Sequence, residues 1–416
     1  MALPAQIAVS FDYSNGATFG YQGFVIGDPK YGILGTNTLG TSDLPEPVID
    51  LTPNVYNISI TRGRNIQRDT YEAGTAVIRV LDPLSYFNPQ NTASPYYGYL
   101  APLRKIRVSA TTATTQKYLF SGYITEYKYT YPVNQDTGYV DIECSDAFRL
   151  FNLANITTVA SAPAGQTTSA RVSAILNQVS FPSSMRTIST GLNTCIADPG
   201  TARTALGAIK NAEFAEQGAF YINGSGTAVF KSRNEVVSSI AGTPIEFNQT
   251  TGIPYKNLVF AFDDKLIVNQ SSVQRYGSAS PQFYQNSASV AKYFPHQYSA
   301  QDVVIDTDAN ALNIAATVVA TRAETTIRID QMSIDLLDSK VPTNTIIGLD
   351  YFDVLTISNV QPDGSTIVKT LQCQGLSWQI SPSAMSCTIT TLEPITDGFV
   401  IGNAERGKIG VSAMTW

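Results

Sequence analysis

Charged side chains are scarce in this chain. They make up 14% of its 416 residues, against roughly 25% in an average soluble domain. Lys and Arg number 27, Asp and Glu 33, and the formal net charge is −6. A chain this poor in cations lacks the basic surface that a phosphate-held nucleic-acid binder needs, so stable nucleic-acid binding is not expected. Histidine is nearly absent, with His296 the only one. The four cysteines, Cys144, Cys195, Cys373 and Cys387, include no Cys-x-x-Cys pair, so no zinc site is expected. In so long a chain free buried thiols are the first expectation and disulfides the second. No window approaches about 18 uninterrupted apolar residues, so no membrane span is expected. The opening MALPAQIAVSFDYSNG has neither a basic start nor a long apolar stretch. No signal peptide is expected, and the protein should be made inside a cell and stay soluble or be built into a particle there.

Apolar residues are plentiful. Hydrophobic residues reach 43% and aromatics 10%, which excludes a disordered chain. Gly, Ser, Thr, Asn and Tyr stand in for the missing Lys and Glu, a substitution that favours strands and turns. The length suggests roughly two to four domains.

Residues 1–49 look irregular and are expected to form an N-terminal arm. From Val55 to about Leu153 the pattern is strand after strand. Val55–Thr61 alternates, as does Thr75–Leu81 with Ala76, Ile78 and Val80 on one face, and Ile106–Ala110 and Tyr139–Glu143 follow suit. Gly122 inside the Tyr118–Tyr131 strand predicts a bulge or a close backbone approach. Such spacing predicts a β-barrel or sandwich over 50–155. After Thr157 the pattern changes. Val172, Ile175, Leu176 and Val179 share one helical face, with Thr168 or Ser169 as cap. A second helix is expected over about 202–217, with Thr201 before it and Gly218 as its stop. A hairpin through Asn223-Gly224 follows, so 160–245 reads as a small α+β domain. Strands return in 246–275 and 325–395, predicting a second barrel. They flank an accessory segment, 276–324, whose helix has Leu312, Ala315, Ala316 and Val319 on one face. Between Ile329 and Met332 the alternation slips, which predicts a bulge. The pattern FVIG-x4-G-x2-G occurs at Phe24–Gly35 and again at Phe399–Gly410. It is read either as coincidence between Gly-rich tails or as two similar extended arms, the second over 396–416.

Enzyme motifs are lacking, and no catalytic, cofactor-binding or metal-binding residue is assigned. There is no P-loop, no His-Glu-x-x-His and no Gly-x-Ser-x-Gly. His296 is read as a loop imidazole at a surface or interface. Asp263-Asp264 is read as a tight hairpin turn rather than a glycosidase pair, and Gly224-Ser225-Gly226 as a hairpin loop rather than a phosphate cradle. Arg62, Arg64 and Arg68 precede Asp69 and Glu72, which suggests a salt-bridge network. Tyr96, Tyr97 and Tyr99 are read as pinning a long loop onto a barrel or a neighbouring subunit.

That same segment resembles the hub-like minor tail proteins of tailed bacteriophages. The resemblance rests on Thr61-Arg62-Gly63-Arg64, Tyr71-Glu72-Ala73-Gly74-Thr75-Ala76, Leu81-Asp82-Pro83 and Asn91-Thr92-Ala93-Ser94-Pro95-Tyr96. It continues through Pro102-Leu103-Arg104-Lys105-Ile106-Arg107-Val108, Phe120-Ser121-Gly122-Tyr123 and Asp146-Ala147-Phe148. Further on come Glu216–Ile222, Phe230–Arg233, Ile253-Pro254-Tyr255 and Asn269, so the likeness covers most of 50–395. Lys105 and Pro83 depart from the usual Arg and Asn.

The resemblance implies a mainly β fold with an α+β insertion: two barrel domains like tail-tube subunits, plus smaller accessory domains. It implies a non-enzymatic structural hub at the virion tail tip or baseplate, assembled in the host cytoplasm, with no cofactor. Such a hub is a homo-oligomer, expected as a trimer, that continues the tube and lets DNA pass. Its implied partners are a distal tail or tube protein, the tape measure protein, and a fibre or spike protein. A sixfold distal tail ring protein, a carbohydrate- or receptor-binding tail module, and a cell-wall hydrolase are the other readings.

Overall fold

A computed structural model describes residues 3–14, 16–19, 48–65, 70–131, 138–325 and 328–393. The two FVIG segments, Arg68, Asp69 and the proposed C-terminal arm lie outside them. The first sheet is built from β1 (Gln6–Asp12), β2 (Val48–Asp50), β3 (Val55–Asn65), β4 (Thr70–Tyr71), β5 (Thr75–Leu81), β6 (Lys105–Thr111), β7 (Gln116–Thr130) and β8 (Tyr139–Ser145). Its order is β3-β5-β8-β7-β6-β1-β2, with the two-residue β4 paired to β3. Alternation decides which side faces in. Ile58 and Ile60 of β3, Ala76, Ile78 and Val80 of β5, and Val140, Ile142 and Cys144 of β8 are buried, while their neighbours face out. The β1–β2 pairing extends past the end of β2, where Val9 N donates to Thr52 Oγ1 at 2.9 Å and Leu51 N to the Val9 carbonyl at 2.9 Å. Part of the expected N-terminal arm is therefore core strand: Val9 and Phe11 of β1 are fully buried. Gly122 marks the close approach that its sequence predicts. A Cβ there would stand 2.6 Å from the Ser145 carbonyl oxygen.

The α+β unit begins with α1 (Phe148–Leu153), β9 (Asn155–Ile156), β10 (Gln166–Thr167) and α2 (Thr168–Gln178). It continues through β11 (Arg186–Ile188), β12 (Thr194–Cys195), β13 (Arg203–Thr204), α3 (Ala205–Glu216), β14 (Ala219–Ile222), β15 (Ala228–Lys231) and α4 (Arg233–Ser238). Val172, Ile175 and Leu176 face its core as expected. Both caps sit elsewhere than read. Thr167 caps α2 through its hydroxyl and Thr204 caps α3, because each is the last extended residue before the helix. The α3 stop is Gln217 in the left-handed region (φ 55°), not Gly218. Gly218 packs instead against the Lys231 carbonyl, where a Cβ would lie at 2.3 Å. β14 and β15 form the expected hairpin.

The remaining elements are β16 (Ile245–Phe247), β17 (Lys256–Ala261), β18 (Gln270–Arg275), β19 (Gln282–Gln285), α5 (Ser287–Tyr293), β20 (Gln297–Val303) and α6 (Asp308–Arg322). After them come β21 (Arg328–Asp335), α7 (Thr343–Ile347), β22 (Val354–Val360), β23 (Thr366–Ser381) and β24 (Ala384–Leu392). β17-β21-β24-β23 run side by side, with β22 and then β16 beside the first half of β23. The second half of β23 pairs with β3, from Gly375 opposite Gly63 to Ile380 opposite Ile58. The two halves thus form one 14-stranded sheet over a shared core, and none of the described sheets closes into the two separate barrels expected. Period-2 patterning fixes a strand's faces but not its edge partner, so the junction at β23 had no sequence signal. The bulge expected near Ile329 is present, with Gln331 opposite Val259 and Ile329 opposite Phe260, which leaves Asp330 unpaired. β18 does not join this sheet. It pairs with β19 and β20 in a small sheet, so 270–275 lies apart from the second set of strands. Helix α6 buries Ala311, Ile314, Ala315, Val318 and Val319, one step round from the predicted face, and leaves Leu312 exposed.

Candidate functional site

Two features stand out: an outer face of hydroxyls, amides and paired charges shared by both halves of the large sheet, and a buried polar junction beside it. Register builds the face. Lys256, Ser333, Thr388, Ser377, Thr61, Thr75 and Ser145 stand opposite one another across β17, β21, β24, β23, β3, β5 and β8. The next row is Asp335, Ser386, Gln379, Ser59, Val77, Glu143 and Glu126. A third holds Asn57, Arg79, Asp141 and Lys128. Neighbouring hydroxyls and amides bond across the strands: Gln379 Nε2 donates to Ser59 Oγ at 2.7 Å, and Ser333 and Thr388 hydroxyls meet at 3.2 Å. Lys256, Arg79 and Lys128 are the cations of these rows, and each faces a carboxylate. Lys256 meets Asp335 at 2.9 Å, Arg79 grips Asp141 with two bonds of 2.8 Å, and Lys128 meets Glu143 at 2.5 Å. Glu126 and Val77 are the other members that are not small and polar.

At the junction, motif residues far apart in the chain converge. Arg62, on β3, is 5% exposed. Its guanidinium stands 5.3 Å from the Tyr351 ring centre and 3.6 Å from Asp350. Asp146 accepts from Gly74 N at 2.6 Å and from Phe148 N at 2.9 Å. Burial pushes the Asp146 carboxyl up to about 7, against the pull of those two amides and of Arg62. Tyr71 donates to Gln374 Oε1 at 2.6 Å, and its ring packs on Tyr351 and Tyr221 at 5.0 and 5.3 Å. A Cβ on Gly63 would stand 2.9 Å from the Gly375 Cα, so two glycines let β3 and β23 cross. Nearby, Glu216 is 1% exposed and accepts from Thr168 Oγ1 at 2.6 Å and Leu192 N at 2.9 Å. Through these contacts β3, β23 and the 350–351 connection are tied to one another, and Glu216 ties α3 to the start of α2.

The other predicted residues scatter. Arg62 pairs with Asp350, and Glu72 accepts from Asn65 Nδ2 at 2.8 Å, while Arg68 and Asp69 of the expected network lie outside the described residues. Arg64 lies over the Tyr71 ring at 5.8 Å. Tyr96 and Tyr99 pin their loop on Tyr13 at 5.9 and 5.8 Å, while Tyr97 stays exposed. Lys105 is buried beside Asp12 at 3.3 Å, and burial lowers its pKa. Asp263 is gripped by both Arg328 nitrogens at 2.8 and 3.0 Å, and the bend there leads out of the large sheet rather than into a hairpin. Gly224-Ser225-Gly226 is the expected hairpin loop. His296 is half-buried in a loop, with Nε2 3.0 Å from the Tyr293 carbonyl. All four cysteines are free and buried. Asp350, Tyr351 and Gln374 had no motif to flag them. The face rows were legible only as the polar half of each alternating strand.

No family model and no curated protein matches this sequence. Solved structures do match in fold. The tail protein from Neisseria meningitidis MC58 superposes with a TM-score of 0.54 at 10% identity, over 82% of this chain and 93% of its own. The 43 kDa tail protein of prophage MuSo2 from Shewanella oneidensis gives 0.52 at 9% identity, over 83% of this chain and 94% of its own. The fold is therefore that of tail proteins, as the motif order implied.

Proposed function

We propose that this chain is a structural hub of a phage tail tip or baseplate. Three copies form a ring that continues the tail tube, each giving two tube-like units. One unit is 50–155, and the other combines 246–261 with 328–393. The α+β unit and the small sheet with α6 are the accessory parts. The ring joins the tube and tape measure protein to a distal fibre or spike, and DNA passes through it. The observation that carries this reading is the continuous outer face. It spans strands of both units, and each cation on its three rows faces a carboxylate. A conduit for DNA must not hold phosphates, and hydroxyls and closed ion pairs offer no released counterions. Cyclic closure would fix the subunit count. Electron microscopy of the assembled ring is the test. A threefold ring with six similar lobes supports the reading. True sixfold symmetry with one unit per chain overturns it in favour of a distal ring protein.

A further inference from the structure

A cavity of about 260 Å³ opens where the α+β unit meets the small sheet, and its walls include Arg171, Arg203, Ile175, Ala208, Asn211 and Val304. Arg171 is 2% exposed. Its Nε donates to Gln166 Oε1 at 2.8 Å and its Nη2 to the Ile196 carbonyl at 2.5 Å, with the Ala162 and Pro163 carbonyls at 3.5 and 3.4 Å. Every one of those acceptors is neutral, and among the described residues no carboxylate forms an ion pair with it. Arg203 differs, because Asp198 neutralises it. Arg171 also lies in the first turn of α2, where the helix amides add positive potential. A buried cation with no carboxylate bonded to it is unfavourable, Asp198 attracting it only from further off, and the cavity beside it is where a closer counter-charge would be supplied.

The opposite wall is strained. Val273 pairs with Ala300 and Arg275 with Val303, so β20 carries one extra residue there. Asp302, in that bulge, adopts φ 55°. Asn211 holds the bulge from both sides: its Nδ2 donates to the Asp302 carbonyl at 2.7 Å and its Oδ1 accepts from Val304 N at 2.9 Å. Left-handed non-glycine residues and bulges gather at binding sites, where the surrounding structure maintains them.

We propose that this cavity binds a small organic monocarboxylate, its carboxylate meeting the Arg171 guanidinium and its apolar body lying against Ile175, Ala208 and Val304. The volume lies just below the usual range for drug-sized ligands, so the occupant is small. One guanidinium with no carboxylate bonded to it, in walls that include Asp302 as well as Ile175, Ala208 and Val304, suits a monoanion better than a more highly charged phosphate. The site is independent of the conduit reading.

Thermal melting of the full chain with benzoate, with benzyl alcohol as its neutral analogue and with inorganic phosphate, tests the proposal. Benzoate is expected to raise the melting temperature saturably, while the alcohol and phosphate leave it unchanged. Arg171→Gln should weaken benzoate at least tenfold. Should that variant fail to fold, Thr201→Phe at the exposed rim decides the matter. It should melt like the parent without ligand and lose the benzoate response. Equal shifts from benzoate and benzyl alcohol, a shift from phosphate alone, no saturable shift in the millimolar range, or a benzoate response that survives Thr201→Phe would overturn it.

Discussion

Gly74 shows how one residue can matter without unusual backbone angles. It has no positive φ, yet a Cβ there would meet Asp146 Oδ2 at 2.9 Å and Arg62 Cγ at 3.1 Å. Both neighbours are buried and held, so neither can step aside cheaply. Gly74→Val is expected to lose about 1–3 kcal/mol from overpacking, read as a lower urea midpoint. A midpoint equal to the parent's would show that the junction can yield. Asp146 gives a pH signature. Its folded pKa of about 7 lies above the ordinary carboxyl value. The folded state therefore holds that proton more tightly, and the contribution to stability is present at low pH and fades as pH rises through about 7. The parent's urea midpoint should fall between pH 5 and pH 8, and Asp146→Asn should flatten part of that fall. An unchanged slope in the variant would assign the pH dependence to other groups. Glu216, buried and accepting from several donors, should be costly to truncate. Glu216→Ala removes the acceptor of Thr168 Oγ1, Leu192 N, Asn193 N and Arg233 N, and at about 1–3 kcal/mol per buried donor left unsatisfied a loss of at least about 3 kcal/mol is expected.

At the scale of elements, sequence legibility follows the range of the forces involved. β5, β8 and β24 were readable because each buries every second residue, and α2 because its apolar stripe is local. Asp330 was readable as a bulge because an extra residue breaks the alternation around it. The α6 face was missed by one step. Ala, Val and Ile crowd that helix on several sides, so its own composition does not choose between adjacent stripes. The pairing of β23 with β3 joins residues more than three hundred positions apart, and no local pattern encodes it. The junction was half visible. Arg62, Gly74 and Asp146 stood out as motif residues, but Asp350 and Tyr351 come from a connection between α7 and β22 that carries no signature. The cysteines were legible through chain length and spacing. Each is now seen buried among core side chains, with burial raising the Cys144, Cys195 and Cys387 thiols. Thiol titration in denaturant without reductant should therefore find four free thiols per chain. Two protected thiols would contradict the packing.

At the scale of the whole molecule, one sheet runs through both halves of the chain, and its outer rows are the surface most constrained by the proposed role. Those rows tolerate polar residues structurally, since Thr61, Ser377 and Thr388 stand on the solvent side of β3, β23 and β24. Lysine at these three positions should therefore change stability little, within about 0.5 kcal/mol each by the norm for surface sites. Function should respond differently. Each ring of three copies would carry added cations on the proposed passage face, and Asp335, the carboxylate diagonal to Thr388, is already paired with Lys256. Phosphates would then displace counterions as they pass, and transit should slow. The measurement is the rate of DNA release from virions carrying Thr61→Lys, Ser377→Lys and Thr388→Lys, triggered in parallel with the parent. Slower release from normally assembled tails, relieved by raising the salt concentration, is the expected result. Salt sensitivity separates phosphate contact from a steric block, which ionic strength would not relieve. Assembled tails that eject at the parent's rate would mean that these rows do not line the passage, and the outer face would need a different partner.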